Sequence, residues 1–364
     1  MEKKSPPAIS VHPHARLAAI ADQCVKCGQC LETCPTYRLH GHEAQSPRGR
    51  LELMARSAAI ESAADSSVDA AIGACVSCGN CERACPLHLP IVSAIDDWRT
   101  KRPLARTWPA RLLRHPRLLA LALRALRAMP RALVARLPAS ERLLVVRSRS
   151  SWRGDDGPGT HDVGILPGCT GRTLDGQTLA ALVRLVRHAG RNATVLATTC
   201  CGNLDRHAGR TTPDPGHAAS PMRDLQALLH LNTGCDSGWR RLFPGQSIED
   251  AVAWLSRQPV QAYRAHPGPI AVFAPCTAGR THRDSLRRLL DRVPGLRWRW
   301  LDAPTGCCGA AGEHAMTHPR EAEAMRDAWL GAWLAGREPI VLAANLGCAL
   351  HVGAAPGFSA TILH

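Results

Sequence analysis

Cys24-Val25-Lys26-Cys27-Gly28-Gln29-Cys30-Leu31-Glu32-Thr33-Cys34-Pro35 returns as Cys75-Val76-Ser77-Cys78-Gly79-Asn80-Cys81-Glu82-Arg83-Ala84-Cys85-Pro86. Both runs read C-x2-C-x2-C-x3-C-P, a spacing that holds cubane iron–sulfur clusters. Three thiolates two residues apart wrap one corner of a cube, and the amides between them can hydrogen-bond to its sulfurs. The fourth Cys reaches the other cube, so the two runs must fold against each other. The spacing therefore assigns Cys24, Cys27, Cys30 and Cys85 to one 4Fe–4S cluster, and Cys75, Cys78, Cys81 and Cys34 to a second. Zinc needs only two C-x2-C pairs and has no use for the third Cys or the proline.

The whole chain narrows the classes further. Its 364 residues suffice for two or three domains with a proper core. Sixteen cysteines without a secretion signal point to a reducing compartment, where thiolates serve metals and not disulfides. The apolar run Leu118 to Leu123 is far shorter than the roughly twenty residues of a membrane span. The expected location is cytoplasmic, with peripheral contact at the inner face of the membrane. Net charge is +15, and Arg99–Arg153 alone holds fourteen Arg and one Lys against Glu141. The excess is thus a local basic surface.

Taken in order, a tail leads into a short helix before Cys24. Pro47-Arg48-Gly49-Arg50 opens a helix through Leu51, Met54, Ala55, Ala58 and Ala59, and a Ser/Asp-rich turn at Asp65 to Asp69 precedes Cys75. A further helix follows through Ile91, Ile95 and Trp98. Residues 99–150 are rich in Arg, Leu and Ala and are punctuated by Pro103, Pro109, Pro116, Pro130 and Pro138, which predicts several short amphipathic helices. On one of them Arg117, Arg124 and Arg127 lie opposite Leu119, Leu123 and Leu126. A glycine-rich turn at 153–159 marks a domain boundary.

Beyond it, short apolar strands alternate with helices, the texture of an α/β domain, and the pattern occurs twice. Strands at 162–166 and 269–273 run into Cys169 and Cys276. Helices at about 175–190 and 281–292 lead to strands at 193–197 and 296–301, which end at Cys200-Cys201-Gly202 and Cys307-Cys308-Gly309. Each half closes on an Asn-x-Gly-Cys turn, Asn232 to Cys235 and Asn345 to Cys348, the second after a strand at 340–344. The eight cysteines form two quartets, Cys169, Cys200, Cys201, Cys235 and Cys276, Cys307, Cys308, Cys348, placed at strand ends where α/β folds collect ligands. Metal binding by both is expected. Small buried residues, or a Cys200–Cys201 disulfide, are the structural alternatives, and the cluster type stays open.

The N-terminal runs resemble the α-helical ferredoxin domain of succinate-dehydrogenase-like and glycolate-oxidase-like electron-transfer subunits. The C-terminal quartets resemble the Cys-Cys-Gly domain of heterodisulfide-reductase-like proteins. In that family each half ends in C-x2-C; Asn232 and Asn345 stand where its first Cys would be, so a fifth thiolate is missing from each half. Together with Pro47-Arg48-Gly49-Arg50, the order of motifs resembles the iron–sulfur subunits of glycolate oxidase (glycolate dehydrogenase), with relatives in lactate-oxidising and glycerol-3-phosphate dehydrogenase complexes. The fold class this implies is α+β multidomain: an α-helical ferredoxin domain at 1–100, a basic helical linker at 101–158, and two Cys-Cys-Gly halves at 159–266 and 267–364.

The resemblance implies an electron-transfer subunit with two ferredoxin-type clusters and one or two further iron–sulfur clusters. Its partners would be an FAD-containing 2-hydroxy-acid dehydrogenase subunit and a quinone or other electron acceptor, with an anionic membrane surface as a further contact. No G-x-G-x-x-G or P-loop is present, so flavin is expected on the partner and no catalytic residue is assigned here. His282, Glu313 and His314 are isolated acid–base candidates of a type that more often stands at a surface or behind a ligand. A nucleic-acid role is not expected, since only Trp108 and Trp152 accompany the arginines. A heterodisulfide-reductase-like enzyme is the alternative, and the absent thiols at 232 and 345 argue against it.

Overall fold

The computed structural model describes residues 13–59, 66–101, 103, 107, 111–112, 115–134, 136, 139–148, 152, 154, 161–197, 200–211, 225–259, 262–301 and 306–364. The N-terminal tail and nearly all of the 153–159 turn lie outside them; of the expected Ser/Asp-rich turn at 65–69 only Asp65 does, and its other residues open helix Ser66–Gly73 instead of a turn.

The N-terminal unit is helical. Helices Pro13–Asp22, Pro47–Ala59, Ser66–Gly73 and Ile91–Lys101 bury one stripe each, bringing Leu17, Ile20, Leu51, Met54, Ile72, Ile95 and Trp98 into a common core. Pro47 is tolerated because it sits in the first helical turn, where its missing N–H has no partner to lose. Ser46 caps that helix, its Oγ accepting from Gly49 N at 2.9 Å. The cysteine runs are the loops and short turns between these helices.

Two parallel sheets follow. The first contains β1 (Val163–Leu166), β2 (Ala193–Val195), β3 (Ala227–His230) and β4 (Ile248–Asp250), in the order β2-β1-β3-β4. The second contains β5 (Pro269–Phe273), β6 (Arg297–Leu301), β7 (Ile340–Ala343) and β8 (Thr361–Leu363), in the order β6-β5-β7-β8. The registers correspond: Val163 pairs with Ala193 and Ala227, and Phe273 with Leu301 and Ala343. β1 and β3 are buried along their whole length, as parallel strands covered on both faces must be. The C-terminal part is therefore two copies of one α/β unit. β3, β4 and β8 were not anticipated from sequence; the helix expected at about 175–190 is Gly176–His188, and a further short helix, Gly168–Leu174, precedes it.

The basic segment differs from a continuous charged face. In helix Pro116–Ala128, Leu119 and Leu123 are buried against Leu174 and Leu346, with Leu126 beside them. The leucine stripe thus packs on the protein, while Leu118 and Leu121 are exposed. Arg99 does not belong to the surface at all; it is 4% exposed. Arg147 is also drawn inward, donating to Ile362 O at 2.8 Å.

Candidate functional site

Both N-terminal runs fold alike. Lys26 and Ser77 have φ of 54° and 48°, and Gly28 and Gly79 have φ of 85° and 70°. Two left-handed residues at the same places turn each loop around its three cysteines. Cys24, Cys27, Cys30 and Cys85 line one cavity, with Val25, Leu87 and Ile91 among its apolar walls. Cys34, Cys75, Cys78 and Cys81 line a second. Each fourth cysteine therefore stands with the three of the other run.

Arginines brace these loops, and sequence reasoning read Pro47-Arg48-Gly49-Arg50 only as a family mark. Arg48 Nη1 donates to Lys26 O at 2.8 Å and its Nε to Glu43 Oε1 at 2.6 Å. Gly49 has no room for a Cβ, which would run into the Glu43 carbonyl. Arg50 is 1% exposed; it donates to Ala71 O at 2.8 Å, Thr36 Oγ1 at 3.0 Å and Gln45 Oε1 at 2.6 Å, with Nη1 4.0 Å from Cys34 Sγ. Arg99 does the same for the other run, donating to Ile72 O, Gly73 O and Cys75 O at 2.7 to 3.0 Å, to Ser77 Oγ at 3.1 Å and to His207 O at 2.7 Å. Burial lowers its pKa. All these acceptors are uncharged, so two guanidinium ions lie buried beside the Cys34/Cys75 cavity with no carboxylate in contact among the described residues. Buried charge is costly without an opposite charge nearby. A cluster held by four thiolates there would supply that charge; for Arg99, Asp96 also contributes at longer range.

The C-terminal cysteines converge as the sheets dictate: the ends of β1 and β5 deliver Cys169 and Cys276, the segments after β2 and β6 deliver Cys200-Cys201 and Cys307-Cys308, and those after β3 and β7 deliver Cys235 and Cys348. Gly202 and Gly309 have φ of 78° and 81°, and each donates its N–H to the first sulfur of its pair at 3.4 Å. Cys276 Sγ lies 3.9 Å from Cys307 Sγ, and Cys308 Sγ 3.0 Å from Cys348 Sγ. Cys169 and Cys201 each hydrogen-bond to Cys200, and Cys201 also to Cys235. Neighbouring thiols, then burial, push Cys201, Cys307 and Cys348 well up, and burial does so first for Cys78. Thiolates at these depths would need a nearby cation to offset their charge. Among the described residues no three His, Cys, Asp or Glu side chains converge on a point where a single ion would sit.

The groups are contiguous. Cys78 packs with Val76, Cys276, Cys307 and Met325, Arg83 Nη2 donates to Cys276 O at 2.8 Å, and Asn80 donates to Thr33 O at 3.2 Å. Of the Asn residues at the missing-thiol positions, Asn232 joins the halves, its Oδ1 accepting from Leu346 N at 2.8 Å, while Asn345 Oδ1 accepts from Cys348 N at 3.3 Å within its own half. Both segments open helices instead of forming plain turns: Asn345 caps helix Leu346–Gly353 with its own side chain, and Asn232, which begins the short 3₁₀ turn Thr233–Cys235, gives its Oδ1 to the first N–H of that same helix. Of the acid–base candidates, Glu313 is buried, ion-paired to Arg210, and accepts from Thr107 N and Oγ1 at 3.0 and 2.9 Å. Those bonds identify it as a structural anchor. His314 is buried beside it, and His282 lies apart.

Residues 20–89 match the family of 4Fe-4S dicluster domains. Residues 163–223 and 270–353 match the cysteine-rich domain family, leaving Cys235 just outside the first match. The chain is 27% identical to the glycolate oxidase iron-sulfur subunit of Escherichia coli (strain K12), over 93% of this chain and 91% of that protein. It is 24% identical to the probable glycolate oxidase iron-sulfur subunit of Bacillus subtilis (strain 168), over 90% and 87%. No solved structure matches. The chain thus joins a 4Fe-4S dicluster domain to two copies of the cysteine-rich domain and, along nearly its whole length, is similar to glycolate oxidase iron-sulfur subunits.

Proposed function

We propose that this chain is the iron–sulfur electron-transfer subunit of a flavin-dependent 2-hydroxy-acid dehydrogenase of the glycolate oxidase type. In this reading Cys24, Cys27, Cys30 and Cys85 hold one 4Fe–4S cluster and Cys34, Cys75, Cys78 and Cys81 another. The quartets Cys169, Cys200, Cys201, Cys235 and Cys276, Cys307, Cys308, Cys348 hold the further metal. The observation that carries the reading is that Cys34 and Cys85 each stand with the three cysteines of the other run, and that Cys78 packs in one cluster with Cys276 and Cys307. Bound clusters would supply one-electron transfer along this line.

The protein's own contribution is positioning and enclosure. Arg48, Arg50 and Arg99 fix the ligand loops, Arg48 beside the Cys24 cavity and Arg50 beside the Cys34/Cys75 one; Leu51, Leu89 and Ile91 give the Cys24 cavity buried apolar walls. Asn232 ties the first half to the second, and Asn345 caps the helix that carries Cys348. No residue of this chain is assigned to oxidation of the hydroxy acid, which falls to an FAD-containing partner. The electrons pass on to a quinone or similar acceptor, and we assign the exposed Leu118 and Leu121, beside exposed Arg124, to an anionic membrane surface. Purification of the native complex under anaerobic conditions tests the division of labour. A separate flavoprotein should accompany the chain and restore glycolate-dependent dye reduction; FAD bound to this chain alone would refute it.

A further inference from the structure

The two N-terminal runs are copies of one loop, and their surroundings differ. Val25 and Val76 hold the same place in each, as do Cys27 and Cys78. In the second run that surface is covered. Val76 is 5% exposed and packs with Cys307 and Met325, and Cys78 and Cys276 pack at the edge of the same cluster. What covers it is the next cysteine group. In the first run the same surface is bare. Val25 is 69% exposed, the most of any large apolar side chain among the described residues, and Cys27 is the one exposed cysteine of the sixteen. Leu87, 49% exposed, borders the same cavity. Single exposed apolar residues are ordinary; these two flank the exposed ligand of a redox group.

The charges at the rim are satisfied within the chain. Lys26 and Arg48 are the two charged side chains that line the cavity; Lys26 Nζ pairs with Glu52 at 3.2 Å and Arg48 Nε with Glu43 at 2.6 Å. The surface therefore offers little to an anionic membrane or a charged partner, and it suits an uncharged apolar one. The membrane contact assigned above belongs to helix Pro116–Ala128, whose Leu119 and Leu123 pack on Leu174 and Leu346. Those two residues lie on the helices that carry Cys169 and Cys348. The acceptor side is thus beside the C-terminal groups, and the face at Cys27 is left for the donor.

We infer that the face formed by Val25, Cys27 and Leu87 is the docking surface for the FAD-containing partner, which seats an uncharged apolar surface there as the second cysteine-rich half does on Val76. That the occupant is a flavoprotein rests on the electron-transfer reading above. Its reduced flavin releases two electrons and two protons; the electrons enter one at a time through the Cys24/Cys27/Cys30/Cys85 group, and the protons go to water.

In the native complex, purified without oxygen, benzoylphenylalanine placed at position 25 should cross-link on illumination to the polypeptide that carries FAD. The same probe at position 121 should not. V25S and L87S change exposed side chains and should each weaken association of that flavoprotein about tenfold, the scale expected for one apolar side chain left uncovered. Their iron content should match the wild type, and dithionite should still reduce their clusters. Raising salt from about 0.05 to about 0.5 M should leave the affinity within about twofold, because no charge pair makes the contact. Cross-linking from position 25 to lipid, to a second copy of this chain or to a polypeptide without FAD overturns the inference. So does unchanged affinity in the double variant V25S/L87S, or affinity that falls steeply with salt. A flavoprotein that stays bound and reduces the clusters through another face sinks this inference alone; iron-loaded chain that no flavoprotein accompanies sinks the electron-transfer reading as well.

Discussion

Arg50 offers the sharpest test of the charge logic around the Cys34/Cys75 cavity. Replacing it by Met keeps much of the volume but removes a buried cation and three hydrogen bonds, to Ala71 O, Thr36 Oγ1 and Gln45 Oε1. Its Nη1 lies 4.0 Å from Cys34 Sγ. Two unit charges at that separation interact by about 4 kcal/mol at an effective dielectric of about 20. An electron added to a cluster is spread behind the sulfur, so roughly half of this, about 2 kcal/mol, acts on it. At about 59 mV per 1.4 kcal/mol for one electron, R50M should lower the potential of that cluster by about 90 mV. R50K keeps the charge and should shift it far less. The assay is a redox titration followed by electron paramagnetic resonance, with the Cys24/Cys27/Cys30/Cys85 centre as internal reference. An unmoved potential in R50M, or equal shifts in R50M and R50K, would refute the argument that Arg50 offsets cluster charge.

Three further outcomes are expected. N232A removes the acceptor for Leu346 N and should cost about 1–2 kcal/mol, seen as a lower melting temperature; melting like the wild type would show that the halves do not depend on this cap. His314 is held down to about 3 by burial, then by His318, Arg99 and Arg50. Its folded pKa is below the unfolded value of 6.5, so between those values the unfolded chain binds more protons. Stability is then full above pH 6.5 and falls by about 1.4 kcal/mol per unit below it, or about 2 kcal/mol at pH 5; H314N should show a flatter profile by that amount, and an identical one contradicts the assignment. In flotation, the full chain should bind anionic but not neutral vesicles, with added salt weakening the contact; indifference to anionic vesicles at low salt rules out the membrane assignment.

What was legible in the sequence follows from how local each signal is. The N-terminal spacing is set by the reach of neighbouring thiolates, so eight cysteines could be grouped without any structure. β1, β2, β5, β6 and β7 were readable because each apolar run ends at a cysteine. β4 and β8 are only three residues long, and β3, Ala-Leu-Leu-His, carries no turn signal of its own. Arg99 was counted as surface charge because composition cannot tell an arginine that solvates from one that ties up five groups inside. Asn232 looked like a lost ligand; its role depends on Leu346, 114 residues away.

The central claim is that cysteines of this chain hold iron–sulfur clusters and that the C-terminal quartets add metal to the two N-terminal cubes. Iron, acid-labile sulfide and zinc should be counted on protein purified without oxygen, together with its paramagnetic resonance spectrum and those of C27S and C200S. Two cubes account for about eight irons. The expected result is brown protein with more than eight irons per chain, C27S losing a ferredoxin-type signal and C200S a different one. Colourless protein with stoichiometric zinc would contradict the account, as would folded C200S that had lost every cluster signal.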